Sequence, residues 1–428
     1  MDTFWIQGGK KLMGTINANG SKNASFPVLA ATVLLSSPIK LYNIPNIEDI
    51  NCFLAILEDI GVKIDYLGNN CIKIDPTGIY KTIVPSNLGG KIRGSYYLLG
   101  SLIARFGNAT IPYPGGCNIG ERPMDLHLEA LEKIGVQFID NGHQFIGNLS
   151  DDYVKYDEMT IKLRFPSRGA TINTVLAASL LEGKTTKIIN ANFSPETNSL
   201  IEFLSLAGVN IVSRKDEIVV VGQSTINLDE YNIIPDKIEV ATLLSSGLVT
   251  GGEVEVTGVI IEHIQPFLDK ISEMGCKYNC SKSSVRVWRP LDVQLVPTDI
   301  TSGLTPPLID ADFEPILCVL LLISNGISVI KDAINPKRHS QFLPQLMQMG
   351  AHIEIINDTQ AIVYGATTFI PAKVDCKEIR GGVALTLAAL AAKGESYINN
   401  VNQIDRGYEY LERKLAHLGA DIKRIKQP

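Results

Sequence analysis

The sequence predicts an α/β protein built from six similar repeats, arranged as two domains of three repeats each. Three observations predict this class: an amphipathic helix that recurs along the chain, a more apolar helix interleaved with it, and short β-type stretches between them. The chain has 428 residues, of which 45% are hydrophobic and 20% charged. This composition is typical of a folded globular protein, and the length allows two or three domains.

The first recurring segment is an amphipathic helix that ends in a glycine and leads into a short strand. The glycine stands where a helix C-cap needs a positive φ. Successive glycines are 74, 73, 67, 75 and 69 residues apart, a spacing regular enough to indicate internal repetition. The six glycines are Gly61, Gly135, Gly208, Gly275, Gly350 and Gly419.

The second recurring segment is apolar on nearly every face, which predicts a helix buried inside the fold. It occurs at residues 26–37, 95–107, 170–183, 240–252, 315–326 and 383–394. Stretches such as IKLYNI (39–44) and GEVEVTG (252–258) are predicted strands between the helices. A period of this length favours a closed assembly over a solenoid, with the division between the two domains near residue 235.

Composition also excludes several classes of function. The net charge of −6, with no basic run, disfavours binding to nucleic acid. The longest apolar run, residues 315–323, is shorter than the roughly 20 residues that span a bilayer, and the first residues do not resemble a secretory signal. Seven scattered cysteines do not suggest a disulfide framework, and Cys276 and Cys280 lack a second pair at zinc spacing. We therefore expect a reduced, cytoplasmic protein that binds neither nucleic acid nor membrane.

Charged residues precede the predicted buried helices. Five of the six helix starts carry a cation, namely Lys22, Arg93, Arg168, Lys237 and Arg380. Helix N-termini with nearby cations favour anionic ligands, although each residue taken alone is equally typical of a solvated charge or a helix cap. The sixth start carries Asp310 and Asp312, and a carboxylate in a cationic setting is a candidate general base as well as a candidate N-cap.

Four stretches resemble the enolpyruvyl transferases: NGSKNASFPVLAATVLL, GGCNIGERPMDLH, PDKIE and IDRGYEYLERKLAHLGA. The resemblance extends over the whole chain in order, and the Gly-Gly-Cys loop and IDRGYE are its most specific parts. It implies two inside-out α/β barrel domains, each of three βαβαββ repeats around a pseudo-threefold axis. One domain would contain residues 22–234 with a catalytic loop at 112–123, the other residues 1–21 and 235–428, with the active site in the cleft between them.

The resemblance also implies an activity. The enolpyruvyl group of phosphoenolpyruvate would be transferred to the 3′-hydroxyl of UDP-N-acetylglucosamine with release of phosphate, as the first committed step of peptidoglycan synthesis. Both partners are small molecules, no metal or other cofactor is implied, and we expect a monomer.

The resemblance assigns a catalytic set and a substrate-binding set. Lys22 would reach the phosphate of phosphoenolpyruvate, Cys117 would be the reactive loop thiol, and Asp312 would accept the proton of the sugar hydroxyl. Arg406, with Arg93 and Arg122, would hold the phosphate and carboxylate of phosphoenolpyruvate. The other substrate-binding residues would be Asn23, Pro123, Met124, Asp125, Leu126, Ser167, Gly169, Arg338 and Arg380.

The sequence departs from the family pattern at several positions. Asp310 competes with Asp312 for the role of base, and Arg338 matches the expected arginine only after a shift of one residue. Phe165 stands where the family has a lysine, Arg168 where a small apolar residue is usual, and Phe193-Ser194 replaces an Arg-Glu pair. Two alternatives follow: enolpyruvyl transfer to another uridine nucleotide or nucleotide sugar, or a catalytically silent nucleotide-sugar binding protein.

The loop thiol carries a further expectation. Arg122 lies five residues after Cys117, and a nearby cation lowers the pKa of a thiol. We therefore expect the epoxide fosfomycin to alkylate Cys117. Whether turnover strictly requires this cysteine is left open.

Overall fold

The structure is a computed structural model that describes residues 2–116, 119–120, 123–150, 157–290, 292–304 and 308–426. The described residues divide into two compact units. Unit 1 contains residues 2–19, 119–120 and 235–426, and unit 2 contains residues 20–116 and 123–234.

The helices alternate between buried and half-exposed members along the chain. They are α1 (Lys22–Thr32), α2 (Glu48–Asp59), α3 (Ser86–Gly89), α4 (Tyr97–Phe106), α5 (Asp125–Ile134), α6 (Arg168–Ala178), α7 (Pro195–Leu206), α8 (Lys237–Thr250), α9 (Ile261–Glu273), α10 (Glu314–Leu322), α11 (His339–Gln348), α12 (Ile379–Ala391), α13 (Asn402–Asp405) and α14 (Leu411–His417). Two short 3-10 helices span Pro76–Gly78 and Arg93–Tyr96.

The strands are short, between three and six residues each. They are β1 (Thr3–Gly8), β2 (Met13–Asn17), β3 (Ile39–Tyr42), β4 (Lys63–Gly68), β5 (Cys71–Asp75), β6 (Asn108–Pro112), β7 (Val136–Asp140), β8 (Gln144–Leu149), β9 (Glu158–Lys162), β10 (Thr185–Ile189), β11 (Asn210–Arg214), β12 (Glu217–Val221), β13 (Glu230–Asn232), β14 (Glu253–Thr257), β15 (Lys277–Cys280), β16 (Ser284–Trp288), β17 (Ile300–Ser302), β18 (Ile327–Asp332), β19 (His352–Asn357), β20 (Gln360–Tyr364), β21 (Lys373–Asp375), β22 (Gly394–Asn399) and β23 (Asp421–Ile425).

Each unit contains three small sheets over its described residues. The strand orders in unit 1 are β15-β16-β14-β2, β17-β18-β20-β19 and β21-β22-β1-β23, and those in unit 2 are β13-β3-β5-β4, β6-β8-β7 and β11-β12-β10-β9. Every four-stranded sheet has one parallel pair and two antiparallel pairs. In the three-stranded sheet the parallel partner is a single bridge between Ile83 and Thr110.

The sheet pattern corresponds to a βαβαββ repeat. In the repeat that runs from β17 to β20, the buried helix α10 joins the parallel strands β17 and β18. The half-exposed helix α11 then leads to the antiparallel hairpin of β19 and β20. The first repeat of each unit takes its parallel strand from a distant part of the chain, because β2 pairs with β14 and β13 pairs with β3.

The buried helices form the core of each unit. All nine residues of α10, with the sequence EPILCVLLL, are buried, and it packs against α8 and α12. Strands cover this core with one face, as in β14, where Val254 and Val256 are buried and the residues between them are partly exposed. Helices in the interior and sheets around them are the inside-out arrangement that the resemblance implied, so the predicted fold class is confirmed.

The six glycines that follow the half-exposed helices have the positive φ that the sequence predicted. All six have φ between 88° and 109°, a region that residues with a Cβ rarely adopt. The recurring glycine is therefore a backbone requirement of the turn from helix to strand, which explains its regular spacing.

Candidate active site

In unit 1, acidic side chains cap the starts of two buried helices. Asp236 accepts hydrogen bonds from the backbone N–H groups of Ile238 and Glu239 at the start of α8. Glu378 accepts from the N–H groups of Arg380 and Gly381 at the start of α12. These carboxylates lie at the positive ends of the helix dipoles, where negative charge is favoured.

Asp312 lies between two buried arginines. Its Oδ1 accepts from Nη2 of Arg338 at 2.9 Å, and its Oδ2 accepts from Nη2 of Arg380 at 3.0 Å. The guanidinium groups are almost fully buried, with Arg338 2% and Arg380 4% exposed. Asp312 does not cap α10, whose N-cap position is Phe313. The alternative of a simple helix cap is therefore wrong for this residue.

A tight turn holds Arg338 in place. The carboxylate of Asp332, at the end of β18, accepts from the backbone N–H groups of Ile334 and Asn335. The guanidinium of Arg338 also donates to the carbonyl oxygen of Ala311. Burial alone would lower the pKa of Arg338, but the charges of the surrounding carboxylates, with Asp312 first among them, raise it overall. Despite the shift of one residue in the sequence, Arg338 contacts the candidate base.

Arg380, the second residue of α12, lies over an aromatic ring. Its guanidinium carbon is 5.4 Å from the ring centroid of Tyr408, a cation–π contact. The hydroxyl of Tyr408 is 2.9 Å from that of Thr242 in α8. Burial opposes the charge of Arg380, but Asp312 outweighs it and raises the pKa well above the usual arginine value.

The two neighbouring aspartates have different partners. Oδ2 of Asp310 is 2.7 Å from Nζ of Lys237, the first residue of α8. Asp310 also accepts from the backbone N–H of Asp312 at 3.0 Å. Unit 1 therefore brings together five of the predicted charged residues, with Asp310 paired to a lysine and Asp312 to two arginines.

Arg406 directly follows the short helix α13. Its Nη1 donates to Oε1 of Gln403 at 3.3 Å. The preceding residue, Asp405, accepts two hydrogen bonds from the guanidinium of Arg424, at 2.8 and 2.6 Å. A bidentate pair of this kind fixes the backbone on which Arg406 is carried.

In unit 2, Lys22 begins α1 and is buried. Its Nζ is 2.7 Å from Oδ2 of Asp49 in α2. Ser21 caps α1 by accepting from the N–H of Ala24 at 3.2 Å, and Asn23 is partly buried beside Lys22. The expectation that a lone lysine at a helix start is a solvated charge is therefore wrong here.

A neutral histidine lies beside Gly169. Asn173 accepts from the backbone N–H of Gly100 through Oδ1, so its amide nitrogen faces Nδ1 of His127 at 2.9 Å. Nδ1 therefore accepts, and the proton of the neutral ring is on Nε2. A Cβ at position 169 would lie 2.8 Å from this Nε2 and 3.0 Å from the hydroxyl of Tyr96, so only glycine fits.

The charge state of His127 follows from its surroundings. Burial, and then the charge of Arg93, lower the pKa of His127 to about 3. Arg93 itself starts a 3-10 helix, with its guanidinium carbon 5.4 Å from the ring centroid of Tyr96. The predicted residues Arg93 and Gly169 are thus both close to the buried ring of His127.

The start of α5 contains four of the predicted nucleotide-binding residues. Met124 and Leu126 are buried, and Pro123 and Asp125 are exposed. Asp125 pairs with the guanidinium of Arg164. Burial opposes the ionised form of Asp125, but the hydrogen bond from Arg164 outweighs it and lowers the pKa.

The start of α6 contains the departures from the family pattern. Ser167 caps the helix by accepting from the N–H of Ala170 at 3.3 Å. Nε of Arg168 is 3.7 Å from Oε2 of Glu196, a residue of α7 that is almost fully buried. Phe165 is 46% exposed, and Ser194 caps α7. Arg168 is thus tied to an acidic residue that the sequence comparison did not single out.

Cys117 and Arg122 lie outside the described residues. The described cysteines, Cys52, Cys71, Cys276, Cys280, Cys318 and Cys376, are free thiols. Within the described ranges, no group of three or more His, Cys, Asp or Glu side chains is arranged to hold a metal ion. Over the same ranges, no helix combines the length and apolarity needed to cross a membrane.

Several site residues were missed by sequence reasoning. Three acidic residues are the partners of predicted cations. Asp49 lies 27 residues after Lys22 in the sequence, and Glu196 lies 28 residues after Arg168. Asp332 lies six residues before Arg338. The neighbours of these acids give no shared signal, because Asp49 follows Glu48 and Asp332 follows Lys331, so neither is an isolated charge in an apolar segment.

Comparisons with known proteins identify the family of the chain. The sequence profile of EPSP synthase (3-phosphoshikimate 1-carboxyvinyltransferase) matches residues 6–415. The chain therefore belongs to this family, the enolpyruvyl transferases.

Within the family, full-length relatives are similar to the chain. It is 36% identical over 429 residues to UDP-N-acetylglucosamine 1-carboxyvinyltransferase 2 of Caldanaerobacter subterraneus subsp. tengcongensis, covering 99% of this chain and 100% of the relative. It is 37% identical over 429 residues to UDP-N-acetylglucosamine 1-carboxyvinyltransferase of Chlorobium limicola, covering 100% and 99%. The crystal structure of the enolpyruvyl transferase NikO from Streptomyces tendae superimposes with a TM-score of 0.88 at 24% identity, covering 100% and 99%. That likeness supports the fold.

We predict that the buried neutral state of His127 makes unit 2 sensitive to acid. The folded ring binds a proton only near pH 3, whereas a histidine in an unfolded chain does so near about 6.5. Between these values the unfolded state binds more protons, so stability present above about pH 6.5 is lost as the pH falls toward 3, by about 2 kcal/mol at pH 5. His127→Gln should lose less stability than the wild type between about pH 7 and pH 5.

The measurement is urea unfolding followed by circular dichroism, since Trp5 and Trp288 both lie in unit 1 and their fluorescence does not report on unit 2. His143→Gln, which replaces an exposed histidine, is the matched control. Equal acid sensitivity in the wild type and His127→Gln would contradict the prediction.

Proposed function

We propose that this chain transfers the enolpyruvyl group of phosphoenolpyruvate to the 3′-hydroxyl of UDP-N-acetylglucosamine and releases phosphate. The observation that carries the proposal is the full-length similarity, at 36% and 37% identity, to proteins named UDP-N-acetylglucosamine 1-carboxyvinyltransferase. The carboxylate of Asp312, held by two arginines, supports it because the chemistry needs a positioned base.

The proposed reaction is an addition followed by an elimination. The 3′-oxygen of the sugar forms a bond to C2 of phosphoenolpyruvate, its proton passes to the base, and C3 gains a proton. In the second step C3 loses a proton, the bond from C2 to the phosphate oxygen breaks, and the double bond re-forms. The products are the enolpyruvyl ether and inorganic phosphate, so no electrons are gained or lost.

Asp312 is the proposed base. A general base has to be an ionised carboxylate within hydrogen-bond reach of the hydroxyl, and neighbouring guanidinium groups favour the ionised form. Both oxygens of Asp312 accept hydrogen bonds from Arg338 and Arg380. We propose that the substrate hydroxyl displaces one of these bonds on binding, while the other arginine keeps the carboxylate oriented.

The proposed anion-binding set is proportionate to the substrate. Phosphoenolpyruvate carries a carboxylate and a phosphate of about −1.5 to −2 charge, and planar guanidinium groups bind both in bidentate fashion. The proposed cations are Lys22, Arg93, Arg122 and Arg406, with Cys117 as the loop thiol that adds to phosphoenolpyruvate and takes part in protonation or product release. Asn23, Pro123, Met124, Asp125, Leu126, Ser167 and Gly169 are the proposed nucleotide-sugar contacts.

The wider role is also a proposal. The product of this reaction would begin the synthesis of peptidoglycan in the cytoplasm, and we propose that the chain acts as a monomer on these two small molecules.

A second acceptor is favoured by one observation. Phe165 is half exposed, and Arg168 is paired with Glu196, so the start of α6 differs chemically from the family pattern. Another uridine nucleotide, such as UMP, or another nucleotide sugar is therefore the alternative acceptor for the same chemistry.

We predict phosphate release that depends on both phosphoenolpyruvate and UDP-N-acetylglucosamine. The measurement is a coupled phosphate assay with a panel of UDP-N-acetylglucosamine, other UDP-sugars, UDP and UMP as acceptors. Turnover with UMP but none with UDP-N-acetylglucosamine would replace the proposed acceptor by the alternative. Nucleotide-sugar binding without turnover on any acceptor would favour a silent binding protein.

The two aspartates are distinguished by matched substitutions. We expect Asp312→Asn to lower kcat by about 10²- to 10⁴-fold, because the variant loses the group that takes the proton. Asp310→Asn should retain most of the wild-type kcat, since Asp310 is paired with Lys237. Steady-state kinetics of both variants is the measurement, and the reverse order of effects would assign the base to Asp310.

The loop thiol is tested by covalent labelling. We expect fosfomycin to alkylate Cys117, with loss of activity, because a cation five residues away in the sequence favours the thiolate that attacks the epoxide. Peptide mass spectrometry provides an internal control in the exposed Cys280, whose thiol has a pKa raised by burial. An unmodified Cys117 at saturating fosfomycin would argue against a reactive thiol at this position.

A further inference from the structure

Behind the candidate base lies a second acid–base pair, formed by Glu314 and His339. Oε1 of Glu314 is 3.1 Å from Nε2 of His339, and both side chains are 0% exposed. Among the described residues, the other oxygen of Glu314 and Nδ1 of His339 make no hydrogen bond. Within the described part of the chain, the contact between these two side chains is therefore the one hydrogen bond that either of them makes.

The pair links the two segments that carry the base and its arginine. Glu314 begins α10, two residues after Asp312, and His339 begins α11, directly after Arg338. Two polar contacts thus run side by side between the same segments, one from Asp312 to Arg338 and one from Glu314 to His339. A shift of either helix start would change both contacts together.

We propose that Glu314 and His339 are positioning residues for the candidate base: their buried hydrogen bond fixes the starts of α10 and α11 and thereby holds the guanidinium of Arg338 on Asp312. The functional consequence depends on the proposed role of Asp312, whereas the structural one does not. Neither residue is proposed to touch the substrate.

The charge of the pair sets its dependence on pH. Burial raises the pKa of Glu314. Burial opposes the charge of His339, but the hydrogen bond and charge of Glu314 outweigh it and raise the pKa of the ring. Asp332, from the end of β18, and Arg338 also act on both groups, and Cys318 lies one turn further along α10. From the start of α12, Glu378 acts on Arg338, and Arg380 pairs with Asp312.

The sign of the effect follows from the raised pKa of His339. The charge on the ring is present below the ordinary histidine value of about 6.5 and is lost as the pH rises through the raised value in the folded chain. Above that value the neutral ring keeps only an uncharged donor in its hydrogen bond to Glu314. The contact from Arg338 to Asp312 should weaken over the same range, so kcat should fall on the alkaline side.

Two matched substitutions of Glu314 test the proposal. Glu314→Gln keeps a hydrogen-bond acceptor for neutral His339, whereas Glu314→Leu removes it at similar volume. We expect Glu314→Leu to lower kcat by about 10- to 100-fold with little change in KM, because a displaced base loses its reacting geometry. Glu314→Gln should keep, at every pH, the kcat that the wild type reaches on the alkaline side, since its pair is uncharged throughout. Ile271→Val, a buried substitution in α9, controls for a general loss of stability.

Two further measurements separate positioning from other effects. In an Arg338→Met background, Glu314→Leu should cause no further loss of kcat, because the contact through which it acts is already absent. A crystal structure of Glu314→Leu should show Arg338 withdrawn from Asp312, a readout that does not need turnover. The proposal would be overturned if Arg338 still contacted Asp312 in that structure. It would also be overturned if the effects of Arg338→Met and Glu314→Leu on kcat were additive and Glu314→Gln kept the alkaline decline. An inactive wild type would instead refute the proposed function.

Discussion

Burying a guanidinium group requires carboxylates close by, and unit 1 is arranged around that requirement. Transfer of an unpaired charge into an apolar interior costs several kcal/mol, yet Arg338 and Arg380 are both almost fully buried. Asp312 and Asp332 supply the nearest opposite charges. Asp332 also accepts hydrogen bonds from two backbone N–H groups in the turn that follows β18. The candidate base is therefore part of the charge balance of the fold as well as of its chemistry.

The two units pair their cations in different ways. Unit 1 combines several charges in one buried network. Unit 2 separates its cations, with Lys22 on Asp49, Arg168 on Glu196 and Arg93 over an aromatic ring. The polar group beside Arg93 is the neutral ring of His127, because a protonated ring there would be both buried and next to a cation. Each of these three cations thus lies against a different described partner.

Much of the fold could be predicted from the sequence because its signals are local. The repeated glycines mark a positive φ, and the apolar segments mark buried helices, and both depend only on neighbouring residues. The cations at the helix starts were predicted for the same reason. The partners of those cations could not be, because Asp49 and Glu196 reach their cations only through tertiary packing.

The choice between neighbouring residues was also beyond the sequence. Asp310 and Asp312 are the same residue type and lie two positions apart, so the sequence does not distinguish them. In the structure Asp310 contacts Lys237, whereas Asp312 contacts Arg338 and Arg380. In the sequence, Arg338 matches the family's arginine only after a shift of one residue, so its place in the site could not be predicted with the same certainty from the sequence. In the structure Arg338 contacts Asp312, and the next residue, His339, pairs with Glu314.

The way the strands close each unit has a consequence for synthesis. In unit 1, β1 lies between β22 and β23, so the first and last strands of the chain share one sheet. In unit 2, the last strand to arrive is β13, which ends at Asn232. On the ribosome, unit 2 can therefore complete its sheets when little more than half of the chain has emerged. In unit 1, β2 has to wait for β14, and β1 has to wait for the much later strands β22 and β23.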